Sequence, residues 1–406
     1  MLRAMTKDPG RATYRRVLAE PRFRVLFATR SLAIAADTLR MVALSVLVYA
    51  RTGSPMLAAV AFGIGFLPQV VGGALLGALA DRLRPRPLVA GVYALEAVVA
   101  AVLALADPPV AAALVLVAVV ACVTPVMSGA VYRVAAEVLP GEQYVLGRSL
   151  MMIAASVAQL LGLAFGGVAV AALGPQRALL VACGVYAVAA VLVRVTLGDL
   201  PPSPAAGERR GAVLGASWAA NRRLLGDRAV RVMLLAQCLP VAFAAGAESL
   251  LIPYAQVRGH GEGTGAFLLA CLPVGMMAGN VVAGRMLAAA TRERLVVPLM
   301  VLLGLPLLPL AADVPLAAAA ALLLVTGTGY AYELGIQRRF VDAVPESARG
   351  QAFGLLSTGM MTLQGLGPVL FGAVAEVAGV GAAIASAGAV TVAVALCLRA
   401  PLTPLR

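Results

Sequence analysis

From Pro108 to Tyr132 the chain reads PPVAAALVLVAVVACVTPVMSGAVY, twenty-five residues without one Asp, Glu, Lys or Arg. A helix rises ~1.5 Å per residue and a bilayer core is ~30 Å thick, so about 20 apolar residues cross it. The stretch is long enough to span. Seven more charge-free runs cover 52–80, 149–176, 263–284, 295–312, 314–332, 350–375 and 377–398. They lack the alternating polar positions of barrel strands and are about twice a barrel strand's length. Helices are therefore expected. The whole sequence is 61% hydrophobic and 13% charged, with a mean hydropathy of +0.94. A soluble domain averages roughly 45–50% apolar and about 25% charged residues. A soluble enzyme, a disordered tail and a secreted disulfide scaffold are excluded, and an all-α polytopic membrane protein remains.

Working outward, twelve spans fall near 24–50, 56–80, 87–106, 110–132, 149–173, 178–198, 232–256, 264–286, 295–312, 315–337, 350–375 and 380–398. With the N-terminus inside, 27 of the 32 Lys and Arg residues lie on the inner side. Only Arg51, Arg177 and Arg258 lie on the outer side. This asymmetry is the positive-inside pattern. It predicts a multi-pass protein of the cell membrane with both termini cytoplasmic, and it accounts for the net charge of +13 without nucleic acid. Residues 1–23 read as a basic, polar tail rather than a cleavable signal.

The five cysteines, Cys122, Cys183, Cys238, Cys271 and Cys397, all sit in apolar spans without a C-x-x-C pair. They read as small buried residues, with no disulfide or metal site implied. His260 reads as a solvated loop residue. The only lysine is Lys7 in the tail, so no Gly-Lys-Ser/Thr phosphate loop exists and ATP-driven pumping is excluded. No cofactor is expected; an ion or substrate gradient must supply the energy.

The longest polar stretch, 199–231, opens with Pro201-Pro-Ser-Pro204 and divides the chain into a six-span half at 1–198 and another at 232–406. Within it Leu214, Trp218 and Leu225 share a helical face. The stretch reads either as a helix lying in the inner interface or as a solvated basic linker. Six identities or near-identities recur at an offset of 205: Arg133 with Arg338, Glu137 with Asp342, Pro140 with Pro345, Gln159 with Gln364, Gly162 with Gly367, and Gly167 with Gly372. Duplicated six-helix halves around a central site are a common transporter plan.

The first inner turn reads Gly77-Ala-Leu79-Ala80-Asp81-Arg82-Leu83-Arg84-Pro85-Arg86. It resembles the G-x-L-A-D-R-x-G-R-R signature between the second and third helices of the major facilitator superfamily, with Arg84 and Pro85 departing from it. Ala36-Asp37, Tyr49-Ala-Arg-Thr52-Gly53-Ser54 and Leu67-Pro68 resemble the bacterial exporter branch containing enterobactin and macrolide exporters. Gly162-Leu-Ala-Phe-Gly166-Gly167 is similar to the antiporter motif G-P-x-x-G-G, with Leu163 at the usual proline. That proline stands in the second half as Gly367-Pro368. The resemblance implies a twelve-helix transporter whose inner gate includes Gly77, Asp81, Arg82, Arg86, Arg133 and Arg338. In it Asp81 meets the first turn of the eleventh helix when the inner side closes. It also implies that glycines of the fifth and eleventh helices form contact surfaces between the halves.

Ionisable groups inside the bilayer cost roughly 2.5–3.5 kcal/mol at mid-span, so they mark function. Asp37 shares a wedge of roughly 80° with Arg30 and Arg40 at ~100° per residue, so this face looks into the bundle. An acid held between burial, which favours its neutral form, and an arginine, which favours its charged form, can bind and release a proton. A fixed structural pair is the competing reading for Asp37. Arg40 reads as its modulator, an anion contact or a structural partner, and Arg30 as a snorkelling end residue. Glu96, with no basic residue in its own span, is a second proton candidate. Glu248 suits a cationic substrate, a proton or a gate hydrogen bond. Glu333, five residues from Arg338, reads as a paired or snorkelled end residue, or as part of the coupling set.

Gly73 and Gly77, Gly162 and Gly166, and Gly275 and Gly279 are small-xxx-small pairs that let helices approach. Together these features predict a monomeric proton-coupled exporter of a small amphipathic drug or natural product. An importer or proton symporter, a lysophospholipid flippase and a non-transporting scaffold are the alternatives. Thirty-one arginines against one lysine match the bias of a GC-rich bacterial genome.

Overall fold

Proline and glycine set many of the helix limits. The structure, a computed structural model, describes residues 13–76, 79–198 and 221–402. Among these, eleven helices are long and apolar enough to cross a membrane, and a shorter apolar one completes the set. In chain order they are α1 (Pro21–Thr52), α2 (Pro55–Leu76), α3 (Pro85–Leu105), α4 (Val110–Val138), α5 (Glu142–Leu173), α6 (Pro175–Thr196), α7 (Arg228–Val257), α8 (Gly263–Met286), α9 (Val296–Ala311), α10 (Leu316–Ala343), α11 (Gln351–Ala378) and α12 (Val380–Cys397). Pro21, Pro55, Pro85 and Pro175 occupy first-turn positions, where the missing N–H costs nothing. Gly174 and Gly379 end α5 and α11 with φ of 81° and 87°, a left-handed region that suits glycine. These two glycines are also 205 residues apart.

α9 departs from a continuous α-helical span. It is α-helical over Val296–Gly304 and then 3-10 over Leu305–Ala311, where Pro306 and Pro309 withhold N–H donors. A 3-10 helix rises ~2.0 Å per residue against ~1.5 Å, so the two pieces together reach about 27 Å. The extra rise makes up for the short sequence. Of the linker, residues 199–220, with Leu214 and Trp218, lie outside the described residues. Residues 221–226 are helical, and Gln351 of α11 donates to Asn221 Oδ1 at 2.6 Å.

The helices form two six-helix halves. In the first, α1 packs on α5 and α6, and α3 on α6; in the second, α7 packs on α11 and α12. Two seams join the halves, α5 on α8 and α2 on α11. At the rim poor in arginine, Arg51 pairs with Asp107 and donates to Pro108 O at 2.9 Å. Its counterpart Arg258 pairs with Asp313 and donates to Ala312 O and Val314 O. Each ties the end of its half's first helix to the loop after the third. The offsets here are 207 and 206 rather than 205, so a comparison at one fixed offset misses the match.

Candidate transport cavity

Three helices break where the halves face each other. α2 is interrupted at 64–66, α7 at Leu250 and α10 at Tyr330–Ala331. Pro68 and Pro253 explain the first two. A proline offers no N–H and crowds the carbonyl four residues earlier, here Ile64 and Ser249. The third break has no proline; the Tyr330 N–H turns back to Gly327 O at 3.1 Å. The breaks bring Phe66, Glu248 and Tyr330 to a cavity of about 300 Å³ that also takes in Met41, Phe62, Ser156, Gln159, Met276, Glu333, Met360 and Gln364. Gln159 and Gln364, mates in the repeat, thus line one space from opposite halves. A second space of about 310 Å³ shares Met41, Phe62, Phe66, Ser156 and Gln159 and reaches into the first half among Arg30, Asp37, Arg40 and Gln69. Helices α3, α6, α9 and α12 contribute no residue to either lining.

In the first half, Asp37 Oδ1 accepts from Arg40 Nη2 at 3.0 Å and from the Tyr186 hydroxyl at 2.7 Å. Neither bond uses Oδ2. Arg40 is 7% exposed, and its guanidinium carbon lies 5.6 Å from the centre of the Tyr186 ring. Arg40 Nη1 is buried without a hydrogen-bond partner among the described residues. Arg30 does not snorkel to the rim: it lines the cavity and donates to Ser128 Oγ of α4 at 3.3 Å. Glu96 of α3 is 1% exposed, and neither carboxyl oxygen has a hydrogen-bond partner among the described residues. It lies within electrostatic reach of Asp37, Arg40 and Arg30, so its nearby cations come from α1, while Arg86 at the start of its own helix bonds to Arg194 O. Tyr186 is the residue that sequence reasoning missed. Its signal was a phenol in mid-span, whose hydroxyl needs a partner when buried.

The second half is built differently. The Tyr330 hydroxyl donates to Glu248 Oε1 at 3.0 Å, and the Tyr332 hydroxyl donates to Gln237 O at 3.2 Å. Glu333 lines the same cavity as Glu248, and among the described residues neither forms an ion pair. Arg338 pairs with Asp342 at 3.7 Å instead, as its mate Arg133 approaches Glu137 at 3.9 Å.

Of the gate motif, Gly77 and the side chain of Asp81 lie outside the described residues, and Arg82 is exposed. Arg86 Nε donates to Arg194 O at 2.8 Å, and Arg133 Nη2 donates to Leu83 O at 3.1 Å. Both contacts stay inside the first half. The repeat glycines sit on helix seams. A Cβ at Gly162 would lie 2.9 Å from Ala35 O of α1, and one at Gly367 would meet Ala242 O of α7. Gly166 faces Leu39 of α1. Gly167 abuts Ala266 of α8 and Gly372 abuts Met56 of α2, so this second pair bridges the halves. Pro368 presses on Gly63 of α2, at 2.9 Å from where its Cβ would stand. Gly275 and Gly279 of α8 lie against Leu324 and Thr328 of α10.

Residues 26–338 match the Major Facilitator Superfamily. No curated protein matches the sequence. Among solved structures, the nucleoside transporter NupG superposes with a TM-score of 0.72 at 13% identity, covering 94% of this chain and 99% of that one. A POT family transporter in complex with a thioalcohol-conjugated peptide gives 0.66 at 13% identity, covering 95% and 98%. The human organic anion transporter MFSD10 gives 0.63 at 19% identity, covering 93% and 99%.

Proposed function

Because the chain belongs to the major facilitator superfamily, we propose that it is a secondary active exporter that moves a small amphipathic molecule outward in exchange for protons. The arginine-rich rim and both termini face the cytoplasm of the cell membrane, following the positive-inside pattern. The protein works as a monomer. The observation that carries this reading is the cavity between the halves, apolar and methionine-lined, with titratable groups on both of its sides.

Asp37 is the proton carrier in this reading. Its Oδ1 is occupied by Arg40 and Tyr186, which leaves Oδ2 to take the proton. Protonation cancels the charge that holds Arg40. Glu96, with two unpartnered oxygens, and Arg40 Nη1, also unpartnered, then become the alternative pair. Transferring Arg40 from one carboxylate to the other changes how α1 is held against α3 and α6. Glu248 and Glu333 offer the acidic end of the cavity to the polar part of the substrate, while Met41, Met276 and Met360 give it an adaptable apolar wall. The halves rock about this site, opening it to one side at a time.

The test is proton flux in proteoliposomes carrying an internal pH dye, with a panel of amphipaths including ethidium and a macrolide added outside. Antiport makes amphipath entry drive protons out. Proton movement in the same direction as the amphipath would replace the reading with symport. Amphipath exchange without proton movement would remove the coupling. A scaffold gives neither exchange nor proton flux.

A further inference from the structure

At the arginine-poor rim the α2–α11 seam ends in a contact of a different kind from the rest. Glu376 of α11 accepts through Oε1 from the Ser54 hydroxyl and from the Met56 backbone N–H at 3.2 Å. Ser54 is the N-cap of α2, accepting from Leu57 N at 3.1 Å, and Pro55 follows it with no N–H to give. A helix start has unsatisfied N–H groups and a partial positive charge. One half of the protein therefore caps a helix of the other half with a carboxylate.

We infer that Glu376 is a latch: its carboxylate on the N-terminus of α2 holds the arginine-poor rim shut, and its release is part of opening to that side. The inference rests on the proposal that the halves rock about the cavity.

Two further observations support it. First, the seam is closed along this end. Sites where a Cβ would crowd the other half run from Gly365 on Leu67 through Pro368 on Gly63 to Gly372 on Met56. With Glu376 the seam extends about 16 Å along α11 at ~1.5 Å per residue, half of a membrane. Second, the repeat provides an internal control. The mate of Glu376, 205 residues earlier, is Ala171. Ala171 lies on the other seam, where its Cβ stands 2.6 Å from the position of a Cβ on Gly263 at the start of α8. Among the described residues, no hydrogen bond or ion pair reinforces that contact. At the repeat position itself the fold accepts an alanine, so among the described residues the Glu376 carboxylate adds a charge-dependent hold to one seam and not the other. Glu376 is exposed, so the latch can be altered without disturbing a core.

The experiment uses the full chain in nanodiscs with its five cysteines replaced. Spin-label pairs at Leu105 and Val257 report the arginine-poor rim, and pairs at Leu83 and Met286 the opposite rim. All four positions are exposed. Glu376→Ala is expected to raise the ratio of open to closed distances at the arginine-poor rim by about twofold to about thirtyfold. That range corresponds to a carboxylate at a helix N-terminus. Glu376→Gln keeps an acceptor without charge and should give a smaller rise. Glu376→Lys places like charge on the helix end and should give the largest. The opposite rim should close in step. Wild type moved from acid to alkaline buffer is the control for rocking. If wild type shifts between two distance populations and no Glu376 variant changes their ratio, the latch is overturned while the rocking cycle stands. If no condition produces a second population, the cycle fails and the latch with it.

Discussion

The two halves hold their buried acids by different means. In the first half, Asp37 is satisfied by a cation and a phenol at once, and Glu96 behind it by neither. In the second, Glu248 has a phenol and no cation, and Glu333 shares its cavity without an ion pair among the described residues. The positions matching Asp37 and Arg40 are alanines at either offset, Ala242 and Ala245 at 205 and Ala244 and Ala247 at 207, so the repeat keeps the scaffold and the rim charges but not this buried pair. A charge pair that can be exchanged suits coupling to protons. Uncompensated acids in an apolar cavity suit a ligand. Under the proposed function, energy conversion falls to one half and recognition to the other.

The largest effect expected is from Asp37→Asn. Size and hydrogen bonding are kept and titration is lost, so proton-driven accumulation should fall to the level of empty vesicles. Counterflow without a gradient should continue. Full accumulation by this variant would move the proton site to Glu96. Glu248→Gln is the matching change in the other half. It should raise the half-saturating concentration of a cationic amphipath about tenfold, a loss of ~1.4 kcal/mol, with proton-driven accumulation kept at saturating substrate. A shifted pH profile with unchanged affinity would reverse the assignment of the two halves.

Glu96→Leu comes next and concerns stability. A buried carboxyl with no hydrogen-bond partner costs about 1–3 kcal/mol, and leucine fills similar space without that cost. Thermal unfolding in detergent should show Glu96→Leu more stable than wild type by this amount, with proton coupling impaired. A destabilised Glu96→Leu would mean that the carboxyl already has a partner, and the exchange of Arg40 would lose its second site.

The twelve crossings were legible because a bilayer requires long stretches without charge, and few other folds supply them. The helix breaks were not. Pro125, Pro240, Pro273 and Pro368 sit inside continuous helices, whereas Pro68 and Pro253 follow breaks. Neighbouring helices and side chains re-satisfy a freed carbonyl in some places and not others, and the sequence of one helix does not say which. The acids stood out because each is costly in a membrane, yet the partner of Asp37, Tyr186, did not. A mid-span tyrosine reads equally as packing until its hydroxyl is seen on a carboxylate. Glu376 was hidden differently, as a single acid between the charge-free runs 350–375 and 377–398, where it reads as the end of a span.

The smallest quantity, a difference between two losses, offers the closest comparison, because it alters the same group in both halves. Tyr186→Phe and Tyr330→Phe each remove one hydroxyl that donates to an acid, at 2.7 Å and 3.0 Å. A hydrogen bond to a charged group contributes about 1.5–3 kcal/mol and a neutral one about 0.5–1.5 kcal/mol. Asp37 is held in an ion pair by Arg40 at 3.0 Å, which keeps a charge on the acceptor. Glu248 forms no ion pair among the described residues. Tyr186→Phe should therefore cost about 1.5–3 kcal/mol and Tyr330→Phe about 0.5–1.5 kcal/mol, measured by reversible unfolding of the two variants under one condition. Aromatic packing is unchanged in both, so the difference isolates the hydroxyl. Equal losses would mean that both acids carry the same charge in the resting protein. A larger loss for Tyr330→Phe would put the ionised carboxylate in the second half, and the division between coupling and recognition would have to be exchanged.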